Sequence, residues 1–504
     1  MSIRNLTTSI DELKNKKNNY SKMSYRQINS DKAVSGIQFS EGECHFRFSV
    51  SGNNWWIPNR SFLSLRANLY STGTTQPTLA SDMGPAPGFT SNLFTGCELR
   101  QSDTPISRIT SNLPQIDAVR TRLMKSKSWI DSVGKSTNFW ESDYNARKQS
   151  IVSNSISEPK VAKQVSLTGT SIAIAADGVV TGHATCLLST ELAAGDILVV
   201  GGSRFTVLTA TSATAASVFP APAVAIAANT SFHREVETNT TATAGKHIIE
   251  TTWQPPLGVF DLSTPLPPGD YDLVMFPNTS KFNSCAIQVG SGVIGTKNLT
   301  VVNMFFNVCV VESENIPSDF TYYLDLHETQ LQPRALVASI TTEQVIDCSV
   351  APTTYALSVA VQEIGSGSNP IYPPTQFTSA ANQELNLTRL RLSYAGQTQP
   401  SPDNVLDYTT TGVNYFTKLY ADYLMASNSF MDGNVGESFE TWRRRGPIAH
   451  YQFLKPAGDG STRVDCAISC SAATSNVLLF SHYSNVAAIS YRNGRCESVR
   501  VDYA

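Results

Sequence analysis

Residues 253–278 read WQPPLGVFDLSTPLPPGDYDLVMFPN. Prolines stand at positions 255, 256, 265, 267, 268 and 277, among Val, Leu, Phe, Tyr and Met. Proline has no amide hydrogen to give to a ladder, so a central strand excludes it. A disordered linker, in turn, would not flank its prolines with Val259, Phe260, Leu273, Val274, Met275 and Phe276. A corner satisfies both facts. The pattern predicts a strand reaching Phe260, a rigid turn from Pro265 to Gly269, and a return strand from Tyr271 to Phe276. Proline presets such a turn and keeps its edge from pairing with stray strands.

The flanking sequence follows the same β pattern. FLSLRANLY puts Leu63, Leu65, Ala67 and Leu69 on one face, and LTVVNMFFNVCVV puts Val302, Met304, Phe306, Val308 and Val310 on one face. TYALSVAV aligns Tyr355, Leu357, Val359 and Val361, RVDCAISC aligns Val464, Cys466, Ile468 and Cys470, and SVRVDY aligns Val499, Val501 and Tyr503. Period-two alternation predicts half-buried strands, and many short strands between Gly, Pro and Asn predict a sandwich or barrel. Helical spacing occurs twice. LPQIDAVRTRLMKSKSWI carries Ile116, Val119, Leu123 and Ile130, with Pro114 near its start; NYFTKLYADYLMAS carries Phe416, Leu419, Tyr420 and Tyr423. Both are read as helices inserted in loops, because neither alternates with strands as a βαβ sheet requires.

A chain of 504 residues exceeds one ordinary core and predicts about two to four domains. Apolar residues make up 41%, enough for such cores, while charged residues make up 16%, against roughly 25% in an average soluble domain. Low charge suits extended strands and large contacts between proteins. A net charge of -3 and a pI near 6.2 give no global field that would draw the chain to nucleic acid. The nine cysteines are odd in number, irregularly spaced and without a CxxC, which predicts reduced, mostly buried thiols. The N-terminus has no apolar signal core, and no apolar run reaches the length of a membrane span.

Two segments stand apart. Residues 1–34 set Arg4, Lys14, Lys16, Lys17, Lys22, Arg26 and Lys32 against Asp11, Glu12 and Asp31, and are expected to form a flexible basic arm, or at most one short helix. Residues 166–231 hold only four charged residues: Asp177, Glu191, Asp196 and Arg204. Here a strand from Asp196 to Val200, a tight turn at Gly201-Gly202-Ser203 and a return from Phe205 to Leu208 predict a small β-module dropped into a larger domain. It is similar to small β-modules of phage and viral fibre or spike proteins.

The motifs of the chain form no catalytic constellation. SVGKST at Ser132–Thr137 has Trp129 where a phosphate loop needs its first glycine, and reads as a helix C-terminus stopped by Gly134. His327-Glu328 lacks the second histidine of a zinc motif, whose place Leu331 takes. Cys466 and Cys470 share an apolar strand face and read as core residues. Asp270 and Asp272 sit where a turn enters a strand, a common place for local hydrogen bonding. Arg443, Arg444 and Arg445 read as solvated or as salt bridges across a subunit contact. Trp55-Trp56, beside Pro58, reads as an edge or corner. No catalytic, cofactor-binding or metal-binding residue is assigned, no cofactor is expected, and the chain is expected not to be an enzyme.

The segments WQPPLGVFDLSTPLPPGDYDLVMFPN, FTYYLDLHETQLQP with TTYALSVAVQE after it, and FETWRRRGPIAHYQFLKP together resemble the double jelly-roll major capsid proteins of the adenovirus-type lineage. Those of virophages and polinton-like viruses are the nearest in kind. The resemblance spans the chain outside the arm and the 166–231 module. It implies an all-β fold of two consecutive eight-stranded jelly rolls, with a few loop helices and the inserted module. The first roll is placed at 35–330 and the second at 335–504, with a linker around Pro333. The opening stretch becomes a crossover within the first roll.

For function, the resemblance implies a structural protein of the virion, made in the host cell without a secretory signal. It implies homotrimers forming pseudo-hexagonal capsomers that tile the icosahedral shell of a double-stranded DNA virus. Expected partners are neighbouring trimers, penton and minor capsid proteins, the genome or an inner layer through the arm, and the host surface through the module. The alternatives are a viral fibre, spike or penton protein, although a penton usually carries one roll. A carbohydrate-binding sandwich is the other, although it should gather carboxylates and aromatics on one concave face.

Overall fold

The structure is a computed structural model. It describes residues 20–31, 42–71, 83–140, 161–192, 196–238, 241–243, 246–278, 286–288, 297–313, 319–336, 343–363, 375, 377, 387–399, 416–427, 437–454, 460–470, 475–493 and 495–502. In chain order the strands are β1 Tyr20–Asn29, β2 Cys44–Val50, β3 Asn54–Trp56, β4 Phe62–Ser71, β5 Met83–Pro85, β6 Phe94–Gln101 and β7 Thr104–Ile109. Helix α1, Leu113–Met124, follows, then a run of short helical turns from Lys127 to Asn138. The inserted strands are β8 Val161–Ser166, β9 Ile172–Ile174, β10 Val179–Gly182, β11 Ile197–Val200, β12 Ser203–Ser212, β13 Ala215–Phe219, β14 Ile226–Asn229 and β15 Phe232–Thr238. Next come β16 Thr241–Thr243, β17 Lys246–Trp253, β18 Gly269–Pro277, β19 Ala286–Gln288 and β20 Lys297–Ser313. The remainder is β21 Phe320–Leu336, β22 Gln344–Ser349, β23 Thr354–Glu363, β24 Leu387–Tyr394, β25 Gln397–Gln399, α2 Phe416–Ala426, α3 Phe439–Arg444, β26 Ile448–Gln452, β27 Arg463–Cys470, β28 Ser475–Arg492 and β29 Arg495–Asp502.

The pairing repeats itself. In the first half one sheet runs β1-β20-β4-β17 and the facing sheet β2-β18-β6-β7; in the second half they run β21-β28-β23-β26 and β22-β27-β24-β25. Counting the eight main strands of each half in chain order, both halves give the orders 1-8-3-6 and 2-7-4-5. Two antiparallel sheets wound in this order are a jelly roll. The chain is a double jelly roll. Both halves also add a strand in the same place. β3 takes over the edge of β20 where β4 leaves it, and β29 takes over the edge of β28 where β23 leaves it.

The proline-rich stretch now has a location. β17 belongs to the first sheet and β18 to the second, so residues 254–268 cross between sheets. The strand ends at Trp253, ahead of Pro255-Pro256, rather than at Phe260. Phe260 instead sits in a single tight helical turn, Gly258–Asp261, that buries Val259 and Phe260. Leu266 is fixed by paired backbone hydrogen bonds to Trp56 (2.6 and 2.9 Å).

Several expectations need correction. β1 lies inside the segment read as a flexible arm, and residues 1–19 lie outside the described residues. It is an edge strand held by its ladder to β20 with little side-chain burial, so its sequence carries no apolar signal. The boundary between the rolls falls between Ser313 and Phe320, not at 330–335. Pro333 is no linker residue but part of β21, an edge strand whose free side needs no amide donor. In β20 a bulge between Val301 and Asn303 flips the alternation: Val301 is 1% exposed and Val302 40%. A bulge at the start of β23 likewise leaves Tyr355 on the surface while Leu357, Val359 and Val361 are buried. Gly134 does not stop its helix. Its φ is -60°, and the chain leaves the helical run at Phe139, with φ +60°. Glycine is needed there for close packing, since a Cβ would sit 2.8 Å from the Trp129 ring.

The inserted sheet, β14-β9-β10-β13-β12-β11-β15-β8, has its own core around Ile172, Val180, Leu198, Val200, Phe205 and Val218. Gly201 and Gly202, at φ +56° and +85°, form the two-residue turn of its central hairpin, and Ser203 already belongs to β12. The two rolls, in contrast, share one continuous hydrophobic cluster.

Candidate assembly surface

The joint between the rolls is built around β21, the edge strand of the second roll. In a free sheet such an edge would expose its amides and carbonyls to stray pairing. Here the first roll covers its stretch from Phe320 to Glu328. Arg120 on α1 donates to the His327 carbonyl at 2.9 Å and pairs with Asp261. Gly258 comes so close that an added Cβ would lie 2.7 Å from the same carbonyl. Glu328 accepts hydrogen bonds from Ser107 on β7 and from the Gly258 amide. Elsewhere along the joint, Gln101 at the end of β6 donates to the Tyr491 hydroxyl of β28 at 2.6 Å, and Tyr322 of β21 donates to the Pro265 carbonyl at 2.9 Å. Trp55 stacks on Phe320 while Trp56 fills the first roll's core, so the tryptophan pair straddles the joint.

Helices from the same connection of each roll, between its fifth and sixth strands, meet behind this edge. Arg122 of α1 and Arg445, next to α3, both bond Glu437, at 2.7 and 3.0 Å. The three side chains are 1%, 4% and 0% exposed. Arg122 also donates to the Trp442 and Gly446 carbonyls, the C-terminal end of α3, where the helix dipole favours positive charge. Its guanidinium lies over Phe377 and that of Arg445 over Trp140. Tyr423 of α2 donates to the Arg122 carbonyl. Arg445 is therefore neither solvated nor a subunit contact, as its place in a triple-arginine run suggested. It locks one roll to the other within the chain.

Burial sets the titration of this region. It pushes the Glu328 carboxyl up to about 7, against the opposing pull of Arg120 and the Ser107 and Gly258 hydrogen bonds. It pushes Asp117 on α1 up to about 6, offset by hydrogen bonds from Ser91 and Trp253. It lowers His450 to about 4, and holds His482 well below its ordinary value.

The other residues singled out by sequence take structural places. Asp270 accepts from Ser49 and Asp272 pairs with His45 and Arg47, all across the β2–β18 ladder. Cys466 is buried in the second core, and the Cys470 side chain lies outside the described residues. Seven described cysteines are free thiols, six of them buried. No group of three His, Cys, Asp or Glu residues able to hold a metal occurs among the described residues. No helix among them is long and apolar enough to cross a membrane. Sequence reasoning missed Glu437 and Arg122 and met Glu328 only as half of a zinc motif; the partners of Arg122 lie up to 324 residues away.

One edge is left over. β1 stands in the first roll where β21 stands in the second, but within the chain nothing among the described residues ladders onto its outer side. It presents Met23 at 48% exposure and Tyr25 at 52%. Beside it a cleft of about 530 Å³ opens between Tyr25, Phe62, α1, Trp129 and Pro255-Pro256.

No protein-family model matches the chain, and no curated protein matches it. Solved structures do. A chain of the Sputnik virophage structure is similar at 11% identity and TM-score 0.49, covering 96% of this chain and 88% of its own. The mavirus major capsid protein is similar at 8% identity and TM-score 0.45, covering 95% and 90%. The Faustovirus major capsid protein is similar at 9% identity and TM-score 0.45, covering 92% and 90%. The assignment of the fold rests on the repeated strand order.

Proposed function

We propose that the chain is a major capsid protein, a structural rather than catalytic component of a virion. Three copies form a pseudo-hexagonal capsomer, and capsomers tile an icosahedral shell around double-stranded DNA. The observation that carries this reading is the asymmetry of the two equivalent edges: β21 is covered by the neighbouring roll along Phe320–Glu328, and nothing among the described residues ladders onto the outer side of β1. A joint between unlike surfaces repeats from copy to copy and forms a closed ring where its rotation divides the full turn, as a three-fold does. Three chains then supply six equivalent rolls, with β1 of each covered by the second roll of the next. The low charge of the chain suits such contacts. In this reading the module at residues 161–238 stands on the outside and meets the host surface. Residues 1–19, still basic in balance, face the genome or an inner layer. Penton and minor capsid proteins bind at the capsomer edges.

The test is the mass and outline of the purified full chain. Light scattering should give three chains per particle, and electron microscopy a roughly hexagonal outline. Replacing Met23 and Tyr25 by Asp should release folded monomers. A native chain that stays monomeric at micromolar concentration, or pairs as a two-fold dimer, would overturn the reading.

A further inference from the structure

In the second roll, four strands of one sheet each contribute one polar side chain to a single buried row. Thr329 on β21 contacts His482 Nδ1 at 3.1 Å, His482 Nε2 contacts Ser358 Oγ on β23 at 2.7 Å, and Ser358 Oγ contacts His450 Nδ1 on β26 at 2.8 Å. All four residues are buried, and the two imidazole rings stand perpendicular with centroids 5.3 Å apart. None of them belongs to the joint triad or to the carboxyl cluster at Glu328.

The row has three contacts and, with both histidines neutral, one proton for each. The hydroxyl and ring N–H donors then all point the same way along the row, and every contact is satisfied. An extra proton breaks this count. Taken up at the ring nitrogen that accepts from Ser358, it puts N–H donors on both sides of that residue. The Ser358 hydroxyl proton is then left without an acceptor in the row, in a buried site where an unmade hydrogen bond is costly.

The surroundings do nothing to stabilise the new charge. Burial alone acts on His450; His482 feels burial, then the His450 ring, then Arg120 of α1, all disfavouring its charged form. The nearby acids are engaged elsewhere. Glu328 bonds Ser107 and Gly258, Asp261 pairs with Arg120, Glu437 pairs with Arg122 and Arg445, and Asp422 of α2 pairs with Lys418. None of them favours either imidazolium.

We propose that the Thr329–His482–Ser358–His450 row is an acid-sensitive latch, closed when both histidines are neutral, whose protonation loosens the β21-β28-β23-β26 sheet of the second roll. The neighbouring Phe480, paired with Ser358 across the β23–β28 ladder, packs on Phe377 beneath Arg122. Loosening the sheet therefore also loosens its contact with the first roll. Folding holds both histidines neutral, so this contribution to stability is intact above the ordinary histidine range near 6.5. It is lost as the pH falls from there toward about 4.

The experiment is hydrogen exchange on the intact full chain at pH 7.5, 6 and 4.5, corrected for the intrinsic rate. Amides of β23, β26 and residues 475–485 should exchange at least about tenfold faster at pH 4.5, while β4 and β17 of the first roll change little. A His450→Gln variant, neutral at every pH, should lose most of that acceleration. Unchanged protection in the second roll, equal acceleration in both rolls, or full acceleration in His450→Gln would each overturn the latch. If that variant does not fold, the wild-type comparison between rolls still decides.

Discussion

Replacing Glu437 by Gln tests what holds the two rolls together. Gln keeps the shape and one acceptor oxygen but removes the negative charge that faces Arg122 and Arg445. Both guanidiniums are almost dry, so neither recovers its hydration when its partner is lost. Breaking a buried ion pair by removing one partner costs about 3–5 kcal/mol, mostly through the uncompensated charge left behind. Two cations share this one anion, which places Glu437→Gln at the upper end of that range. The triple variant Arg122→Met, Glu437→Leu, Arg445→Met removes all three charges at similar volume. It should lie within about 2 kcal/mol of the native protein. The assay is urea unfolding followed by tryptophan fluorescence, since Trp140 and Trp442 lie within the cluster, at fixed protein concentration so that assembly does not move the midpoint. A loss below about 1 kcal/mol in Glu437→Gln, or a triple variant as unstable as the single one, would refute the argument that an uncompensated charge is what matters.

Two further outcomes follow from the joint and the bulge. Burial raises the Glu328 carboxyl from 4.5 to about 7, so its contribution to stability is intact below about 4.5 and is lost as the pH rises through 7. Glu328→Gln should therefore gain up to about 3 kcal/mol relative to the native chain between pH 5 and pH 8, read from melting temperatures at both; an equal difference at the two pH values would exclude ionisation as the cause. Val302→Asp should change stability by about 0.5 kcal/mol or less, whereas Val301→Asp should cost about 3 kcal/mol or more. Equal effects in chemical denaturation would mean that the bulge does not set which valine faces the core.

Sequence alone determined whatever depends on near neighbours in the chain. Alternation marked β4, β23 and β27, helical spacing marked α1 and α2, and the Gly201-Gly202 pair marked a hairpin, because each signal lies within a few residues of its structure. The proline corner was legible for the same reason: proline's missing donor acts locally. Sequence could not place β1, whose ladder to β20 joins residues nearly 300 apart and leaves its side chains in solvent. It could not see the bulge that turns Val302 outward, since one inserted residue leaves composition unchanged. Nor could it pair Arg122 with Glu437, or align Thr329, His482, Ser358 and His450 into one row. Such sites arise only when long-range strand order brings side chains together and removes the water between them. That order, with one edge covered and its equivalent unpaired among the described residues, is what the tertiary structure alone decided.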